Sequence, residues 1–118
     1  MCANDRYFEM ARAIATDRVD ARTKSHYHFG VVGVRKDGLI VCSYNISDPT
    51  RQVPEGHAEH RLASKLTRDS EVYVVRLNRQ YEDRMAKPCK RCQARLRNQR
   101  VRKVFYTIAP SEYGVLIL

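Results

Sequence analysis

Two short stretches, His57-Ala58-Glu59 and Pro88-Cys89-Lys90-Arg91-Cys92, decide the fold and the chemistry of this sequence. Cysteines at positions i and i+3 lie next to each other on one face of a helix. Together with one neutral imidazole they supply three sulfur and nitrogen ligands, the usual number for a catalytic zinc ion, and leave the fourth position for water. The pattern therefore predicts a zinc site formed by His57, Cys89 and Cys92.

The carboxylate of Glu59 is the predicted catalytic group of this site. A zinc ion lowers the pKa of its water to about 7, so a hydroxide nucleophile is available at neutral pH. Attack on a carbon that bears an exocyclic amine also requires protons to be moved, and a carboxylate beside the water can move them. Glu59 is close in sequence to His57 but is not needed as a ligand. Both residues must lie in the first turn of a helix, because mid-helix they would point to different sides.

The paired cysteines have two alternative interpretations. A redox pair would follow a strand in a thioredoxin-like unit and would not require the H-x-E stretch. A structural zinc site would require a fourth ligand, and Cys2 and Cys42 are single and poorly spaced for that role. His26 and His28 are further imidazoles, but the three predicted ligands already complete the site. A catalytic zinc site is the interpretation that uses all of the motif residues.

The combination H-x-E and P-C-x-x-C is the signature of zinc-dependent nucleobase deaminases. The run from His28 to Leu66, with Gly30 and Asn45, resembles the cytidine/deoxycytidylate deaminase superfamily. The run from Val72 to Thr107 resembles it as well, and the chain looks closest to compact deaminases of bacteriophage and bacterial genomes. The resemblance implies a hydrolase that replaces the exocyclic amine of a base by oxygen and releases ammonia.

Three substrate contacts are implied by this resemblance. Asn45 would bind a sugar hydroxyl, and the backbone N–H of Ala58 would hold the pyrimidine carbonyl. Tyr106, with Phe105 beside it, stands where relatives place aromatic side chains that touch the base. The alternatives are a turn-forming asparagine at a strand exit and ordinary core packing of the two aromatic residues.

Length and composition are those of one compact unit. The 118 residues, 43% of them apolar, predict a single domain over residues 1–118. The sequence contains no apolar run of about 18 residues, so no membrane helix is expected. Its start lacks an apolar signal region. Four cysteines, two of them assigned to zinc, predict no disulfide framework, and a reducing cytoplasm fits best.

Positive charge is concentrated in the segment that carries the cysteines. The formal net charge is +9. Residues 84–103 contain no acidic residue and nine basic ones, namely Arg84, Lys87, Lys90, Arg91, Arg95, Arg97, Arg100, Arg102 and Lys103. Such a segment can attract the phosphate of a nucleotide or the backbone of single-stranded nucleic acid. The alternative is a solvated helix face in a basic protein.

The predicted fold is a three-layer α/β/α, cytidine deaminase-like domain with a mixed five-stranded sheet. The expected helices cover 5–17, 57–67 and 89–99, and the expected strands cover 28–35, 39–44, 71–78, 101–108 and 115–118. The first helix is expected to bury a stripe of Tyr7, Met10, Ala11 and Ile14. A polar loop is expected at 79–87. Helices 57–67 and 89–99 should cover one face and present zinc between their N-termini.

The connection after residue 108 is too short for a crossover helix, so the last strand should pair antiparallel with its predecessor. In the superfamily this resembles the free-nucleoside deaminases, whereas the residues around Asn45 look more like the deoxycytidylate and nucleic-acid branches. The last strand would be an exposed apolar edge, which predicts a homo-oligomer.

The predicted reaction is zinc-dependent hydrolytic deamination of a cytosine nucleoside or nucleotide (cytidine, deoxycytidine or deoxycytidylate) to the uracil product. The alternatives are deamination of a base within RNA or single-stranded DNA, which the basic segment favours, and deamination of adenine or guanine. A catalytically silent zinc-binding module is a further alternative, but it would have no need for the carboxylate of Glu59.

Overall fold

The computed structural model describes residues 5–20, 28–44 and 58–118. The elements, in chain order, are α1 (Asp5–Asp20), β1 (His28–Val34), β2 (Ile40–Tyr44), α2 (Ala58–Ala63), β3 (Glu71–Leu77), β4 (Asp83–Arg84), α3 (Lys90–Asn98), β5 (Lys103–Ala109) and β6 (Glu112–Ile117). None of the helices in these ranges has the length and hydrophobicity needed to cross a membrane.

The strands form one mixed sheet in the order β2-β1-β3-β5-β6. β3 pairs parallel with β5 and antiparallel with β1, and β6 pairs antiparallel with β5, as the short connection predicted. The two-residue strand β4 pairs with β3 as a sixth strand, within the segment that was predicted to be a polar loop. β3 lies in the middle of the sheet, and Val72, Tyr73, Val74 and Val75 are all buried, because helices cover both of its faces.

The predicted three-layer arrangement is confirmed by two separate clusters of buried side chains. One cluster joins α2 and α3 to the sheet through residues that include Leu62, Leu96 and Val74. The other joins α1 to the opposite face through residues that include Phe8 and Val75. Alternate residues of β3 enter the two clusters, as the period of two in a strand requires.

Helix α1 is longer than predicted, and the stripe it buries is different. The helix reaches Asp20 and not residue 17 as predicted, and 21–27 lie outside the described residues. The buried stripe consists of Phe8, Ala11, Ala15 and Val19. Met10, predicted to be buried, is 37% exposed. The stripe shifts because two small alanines allow the helix backbone to lie directly on Gly30 of β1, which the periodicity of α1 alone does not reveal.

Helix α2 ends at Ala63, four residues earlier than the predicted end at residue 67, and Ala58, Leu62, Ala63 and Leu66 are all buried. Its end is tightened by i to i+3 hydrogen bonds, from Lys65 N to the Leu62 oxygen (2.8 Å) and from Leu66 N to the Ala63 oxygen (3.1 Å). Short bonds of this kind are common where a helix terminates.

His28 lies at the start of β1 on the face covered by α1, and it is 1% exposed. Burial lowers the pKa of its imidazole below the ordinary value of 6.5, and the positive charge of Arg79 lowers the pKa further. The position is on the opposite side of the sheet from α2 and α3. His28 is therefore a packed core residue and not a ligand of the predicted zinc site.

We expect His28 to make the folded protein less stable in acid. Because the unfolded chain takes up a proton near pH 6.5 that folded His28 binds only at lower pH, stability is fully present above about 6.5 and falls as the pH drops below it. The Tm should therefore fall more between about pH 7.5 and 5.5 in the wild type than in the His28→Gln variant. Parallel Tm profiles for the two proteins would contradict this assignment.

Candidate metal centre

The two cysteines lie at the beginning of α3. Cys89 is the N-cap residue with an extended backbone (φ −66°, ψ 165°), and Cys92 lies in the first turn. Cys92 is completely buried against the sheet, whereas Cys89 is exposed. The pair thus has one side in the core and one side open to solvent. The thiolate is the form of cysteine that binds metal.

Hydrogen bonds hold the segment that leads into Cys89. The buried hydroxyl of Thr107 on β5 donates to the backbone oxygen of Arg84 (2.8 Å). The backbone N–H of Ala86 donates to the Thr107 oxygen (2.8 Å). The Gln93 side chain donates to the Pro88 oxygen (2.8 Å), and its backbone N–H donates to the Cys89 oxygen (2.9 Å). The approach to Cys89 is therefore tied both to the sheet and to α3.

Sequence reasoning did not find Thr107 or Gln93. Gln93 directly follows the second cysteine, which is the only local sign of its role, and Thr107 is distant along the chain. Residues that hydrogen-bond around metal ligands orient those ligands, and replacing such a residue lowers the affinity for the metal.

We expect the Gln93→Leu variant to bind zinc about 10-fold more weakly than the wild type, because the Pro88–Cys89 peptide loses its tether. A chelator competition titration at neutral pH measures this. Gln99→Leu is the matched control, since the Gln99 side chain also donates to a backbone oxygen, that of Ala63 (2.7 Å), at the other end of α2. Equal zinc affinity in both variants would contradict the positioning role of Gln93.

Helices α2 and α3 lie side by side and run in the same direction. The Gln99 bond to Ala63 joins their C-terminal ends, and Ala58 and Ala86 belong to the same buried cluster near their beginnings. Both helices therefore begin at the edge of the sheet that is formed by strand ends and contains the C-terminal end of β3. Ala58, the first residue of α2, is buried, with 1% of its surface exposed.

Two predicted site residues fall outside the described part of the chain. His57 immediately precedes α2, and Asn45 immediately follows β2. β2 ends at Tyr44 opposite Gly30, near the same edge of the sheet. Glu59 is the second residue of α2, and its side chain is also outside the described part. Within the described ranges, no group of three or more His, Cys, Asp or Glu side chains is arranged to hold a metal ion.

Tyr106 and Phe105 point to opposite faces of the sheet. Phe105 stacks on Tyr73 in the α1 layer, with ring centroids 4.7 Å apart, so it is a core residue and does not face the predicted site. Tyr106 packs against the cluster beneath α2 and α3. Its ring lies across Gly114 of β6, where an added Cβ would be 2.4 Å from the ring Cζ. The Tyr106 ring can occupy this position only because residue 114 has no side chain.

A shallow cleft lies at the opposite edge of the sheet. It is lined by charged residues of both signs, including Arg35, Glu71 and Arg102, and by Val34 at the end of β1. Because β3 begins at this edge and the cysteines follow the other end of β3, the cleft is separate from the predicted metal centre.

Comparison with known proteins identifies the family. The family model of the "Cytidine and deoxycytidylate deaminase zinc-binding region" matches residues 1–108. The chain therefore belongs to this family of zinc-dependent deaminases. A search of curated protein sequences finds no match.

Solved structures share the fold. The cytidine deaminase from Mycobacterium leprae aligns with a TM-score of 0.62 and 20% identity, covering 98% of this chain and 94% of that protein. The cytidine deaminase from Mycobacterium tuberculosis aligns with a TM-score of 0.52 and 16% identity, covering 87% of this chain and 88% of that protein. At these identities the likeness establishes the three-layer fold.

Zinc is the cofactor of this family, and the donors present in this chain fit it. Zinc prefers sulfur and nitrogen ligands, and the two thiols lie three residues apart at one helix N-terminus. The buried position of Cys92 and the hydrogen-bonded approach to Cys89 hold these donors in place without needing a disulfide.

Proposed function

We propose that this protein deaminates a cytosine nucleoside or nucleotide by hydrolysis. Water and the cytosine ring yield the uracil ring and ammonia. The observation that carries the proposal is the common position of the Cys89–Cys92 pair and the start of α2, where Ala58 is followed by Glu59, at one edge of the sheet.

In this mechanism His57, Cys89 and Cys92 hold the zinc ion, which when bound makes hydroxide available at neutral pH. Glu59 takes one proton from the attacking water and gives it to the ring nitrogen. It then moves the second proton, from the hydroxyl added to the carbon, to the amine, which leaves as ammonia when the C–N bond breaks. The two roles are distinct, because the carboxylate moves protons and the three ligands do not.

Substrate is held by groups around this centre. The Ala58 N–H donates to the pyrimidine carbonyl, and the small alanine side chain allows close approach. Asn45 bonds a sugar hydroxyl, and Tyr106 flanks the base from β5. The partly buried position of Tyr106 beneath α2 and α3 supports this last role.

The antiparallel pairing of β5 with β6 favours a free nucleoside, cytidine or deoxycytidine, because the resemblance links that pairing to the free-nucleoside deaminases. Lys87 and Lys90, which are exposed beside Cys89, would instead receive the phosphate of deoxycytidylate. Both substrate classes therefore belong in the test.

Ammonia release from the zinc-loaded protein tests the proposal. The panel contains cytosine, cytidine, deoxycytidine, deoxycytidylate, adenosine and guanine. Turnover of one cytosine nucleoside or nucleotide is the expected result. Release only from a purine would overturn the cytosine assignment, and silence across the panel with zinc bound would overturn the proposed reaction.

We also propose that the chain forms a homo-oligomer in the cytoplasm, where its thiols stay reduced. β6 is an edge strand of the sheet and exposes the side chains of Tyr113, Val115 and Ile117. Apolar side chains on an unpaired strand edge favour pairing with another chain. A monomeric mass by light scattering at micromolar concentration would contradict this.

A further inference from the structure

Basic side chains cover the outer face of α3 and continue beyond its end. We call this surface the basic stripe, and it consists of Lys90, Arg91, Arg95, Arg97, Arg100 and Arg102. Arg95 is partly buried and the other five are exposed. The buried face of the same helix carries Cys92 and Leu96, so the stripe is the side of α3 that faces solvent.

Within the described residues, the acidic neighbours of the stripe lie at its Arg102 end, where Asp69 and Glu71 line the same cleft. In the part of the chain that the structure describes, the ion pairs involve other cations, and none includes a residue of the stripe. The sequence also has no acidic residue between positions 84 and 111. The stripe residues on α3 therefore present a row of positive charge without ion-pair partners among the described residues.

At its first turn this arrangement costs helix stability, whereas Arg95 and Arg97 lie in the last turn, where the helix dipole favours cations. Lys90 and Arg91 lie in the first turn of α3, where the helix dipole disfavours cations. Arg91 and Arg95 are four residues apart, a spacing at which like charges repel by about 0.2–0.5 kcal/mol. A helix that only needed solubility would gain stability from acidic residues in its first turn, so the unmixed positive charge is better explained by a negatively charged ligand.

The stripe extends from the predicted metal centre to the other edge of the sheet. Lys90 follows Cys89 directly, and Lys90 and Arg97 are two helical turns apart, roughly 10 Å along the axis. Arg102 lies just before β5, where its backbone N–H donates to the Ser70 oxygen (2.8 Å), at the edge where β3 begins. A single nucleotide carries its phosphate at one point only, whereas a polymer carries phosphate along the whole stripe.

We propose that the basic stripe binds the phosphate backbone of single-stranded nucleic acid. The charge of the stripe supports a polyphosphate ligand, and its beginning beside Cys89 supports a strand that passes the site. The choice of a single strand over a duplex rests on the proposed function, because a site for cytosine requires an unpaired base. Binding itself does not require deamination.

Fluorescence anisotropy with a labelled oligothymidylate of about twenty nucleotides tests the proposal, since thymine offers no amine to remove. For roughly five phosphate contacts, the slope of log K against log salt concentration should be about −3.5. The triple variant Arg95→Gln, Arg97→Gln and Arg100→Gln should lower the magnitude of this slope by about 2. None of these three residues has a role in the proposed catalytic or substrate-binding machinery.

The matched control is the triple variant Arg6→Gln, Lys65→Gln and Arg79→Gln, which removes the same charge from exposed positions away from the stripe. It should keep the wild-type slope within about 0.5. Equal weakening of oligonucleotide binding in both variants would show an effect of net charge alone and would overturn the proposal. Absence of binding by the wild type, or stronger binding to phosphatidylserine vesicles at equal phosphate concentration, would overturn it too.

Zinc content and cytidine or deoxycytidylate turnover of both variants separate this inference from the proposed function. Unchanged values are expected, because the stripe residues that are altered lie away from the reacting groups. If the wild type binds the oligonucleotide but deaminates nothing, the proposed function fails and the stripe stands. If the wild type deaminates cytidine or deoxycytidylate but does not bind the oligonucleotide, the proposed function stands and the proposal for the stripe fails.

Discussion

The Glu59→Gln variant is expected to keep its zinc and to lose about 10²–10⁴-fold in kcat for cytosine deamination. The amide has the size of the carboxylate and can still hydrogen-bond, but it cannot accept the proton of the attacking water. Because Glu59 is not a predicted ligand, the metal content should not change. The measurement is kcat by ammonia release together with zinc content by elemental analysis.

The control for this experiment is Glu112→Gln, which removes a carboxylate from an exposed position on β6. It should retain wild-type kcat. If Glu59→Gln retained full turnover, Glu59 would be excluded from the mechanism. If the variant lost zinc as well as activity, Glu59 would be a ligand, and the division of roles within the H-x-E stretch would be wrong.

The Gly30→Ala variant is expected to show the largest loss of stability. An added Cβ would lie 1.9 Å from the backbone oxygen of Ala11 and 2.7 Å from the backbone nitrogen of Ala15. Helix α1 can relieve this overlap only by moving off the sheet as a unit. We expect a loss of about 3 kcal/mol or more, at the upper end of the usual cost of overpacking. That is a large part of the stability of a typical domain, about 5–15 kcal/mol.

Gly33→Ala provides the comparison for this experiment. Its added Cβ would lie 2.5 Å from the Leu66 Cδ2, which is the end of a side chain and can move. The expected loss is about 1–2 kcal/mol. Thermal unfolding followed by circular dichroism measures both variants. A Tm for Gly30→Ala at or above that of Gly33→Ala would contradict the close packing of α1 on β1.

Much of the fold could be predicted because its signals are local. Short runs rich in apolar residues placed the five main strands within a few residues of their observed bounds, and the short segment after β5 required an antiparallel partner. The error in α1 arose because the helical periodicity of Tyr7 and Met10 was considered without their partner surface. The strand β4 was missed because two residues carry no periodicity.

The candidate site could be predicted only in part, because some of its features depend on contacts between residues that are far apart in the chain. Cys89 and Cys92 are three residues apart, so a single helix brings them together whatever surrounds it. Phe105 and Tyr106 are equivalent by sequence, and only the sheet assigns Phe105 to the stack with Tyr73 and Tyr106 to the side of α2 and α3.

By itself, the sequence determined the family, the main helices and strands, and the direction of the last strand, and it predicts the metal ligands and the carboxylate that accompanies them. The helices, the strands and the last connection depend on residues that are close in the chain, and the metal motif combines two short local stretches, His57–Glu59 and Pro88–Cys92. The tertiary structure decided the antiparallel pairing of β1 with β3, the approach of α1 to Gly30, the ties from Thr107 and Gln93 to the cysteine segment, and the course of the basic stripe along the sheet. Most of these depend on residues far apart in sequence, whose contacts are selected by close packing and by the need to pair buried polar groups.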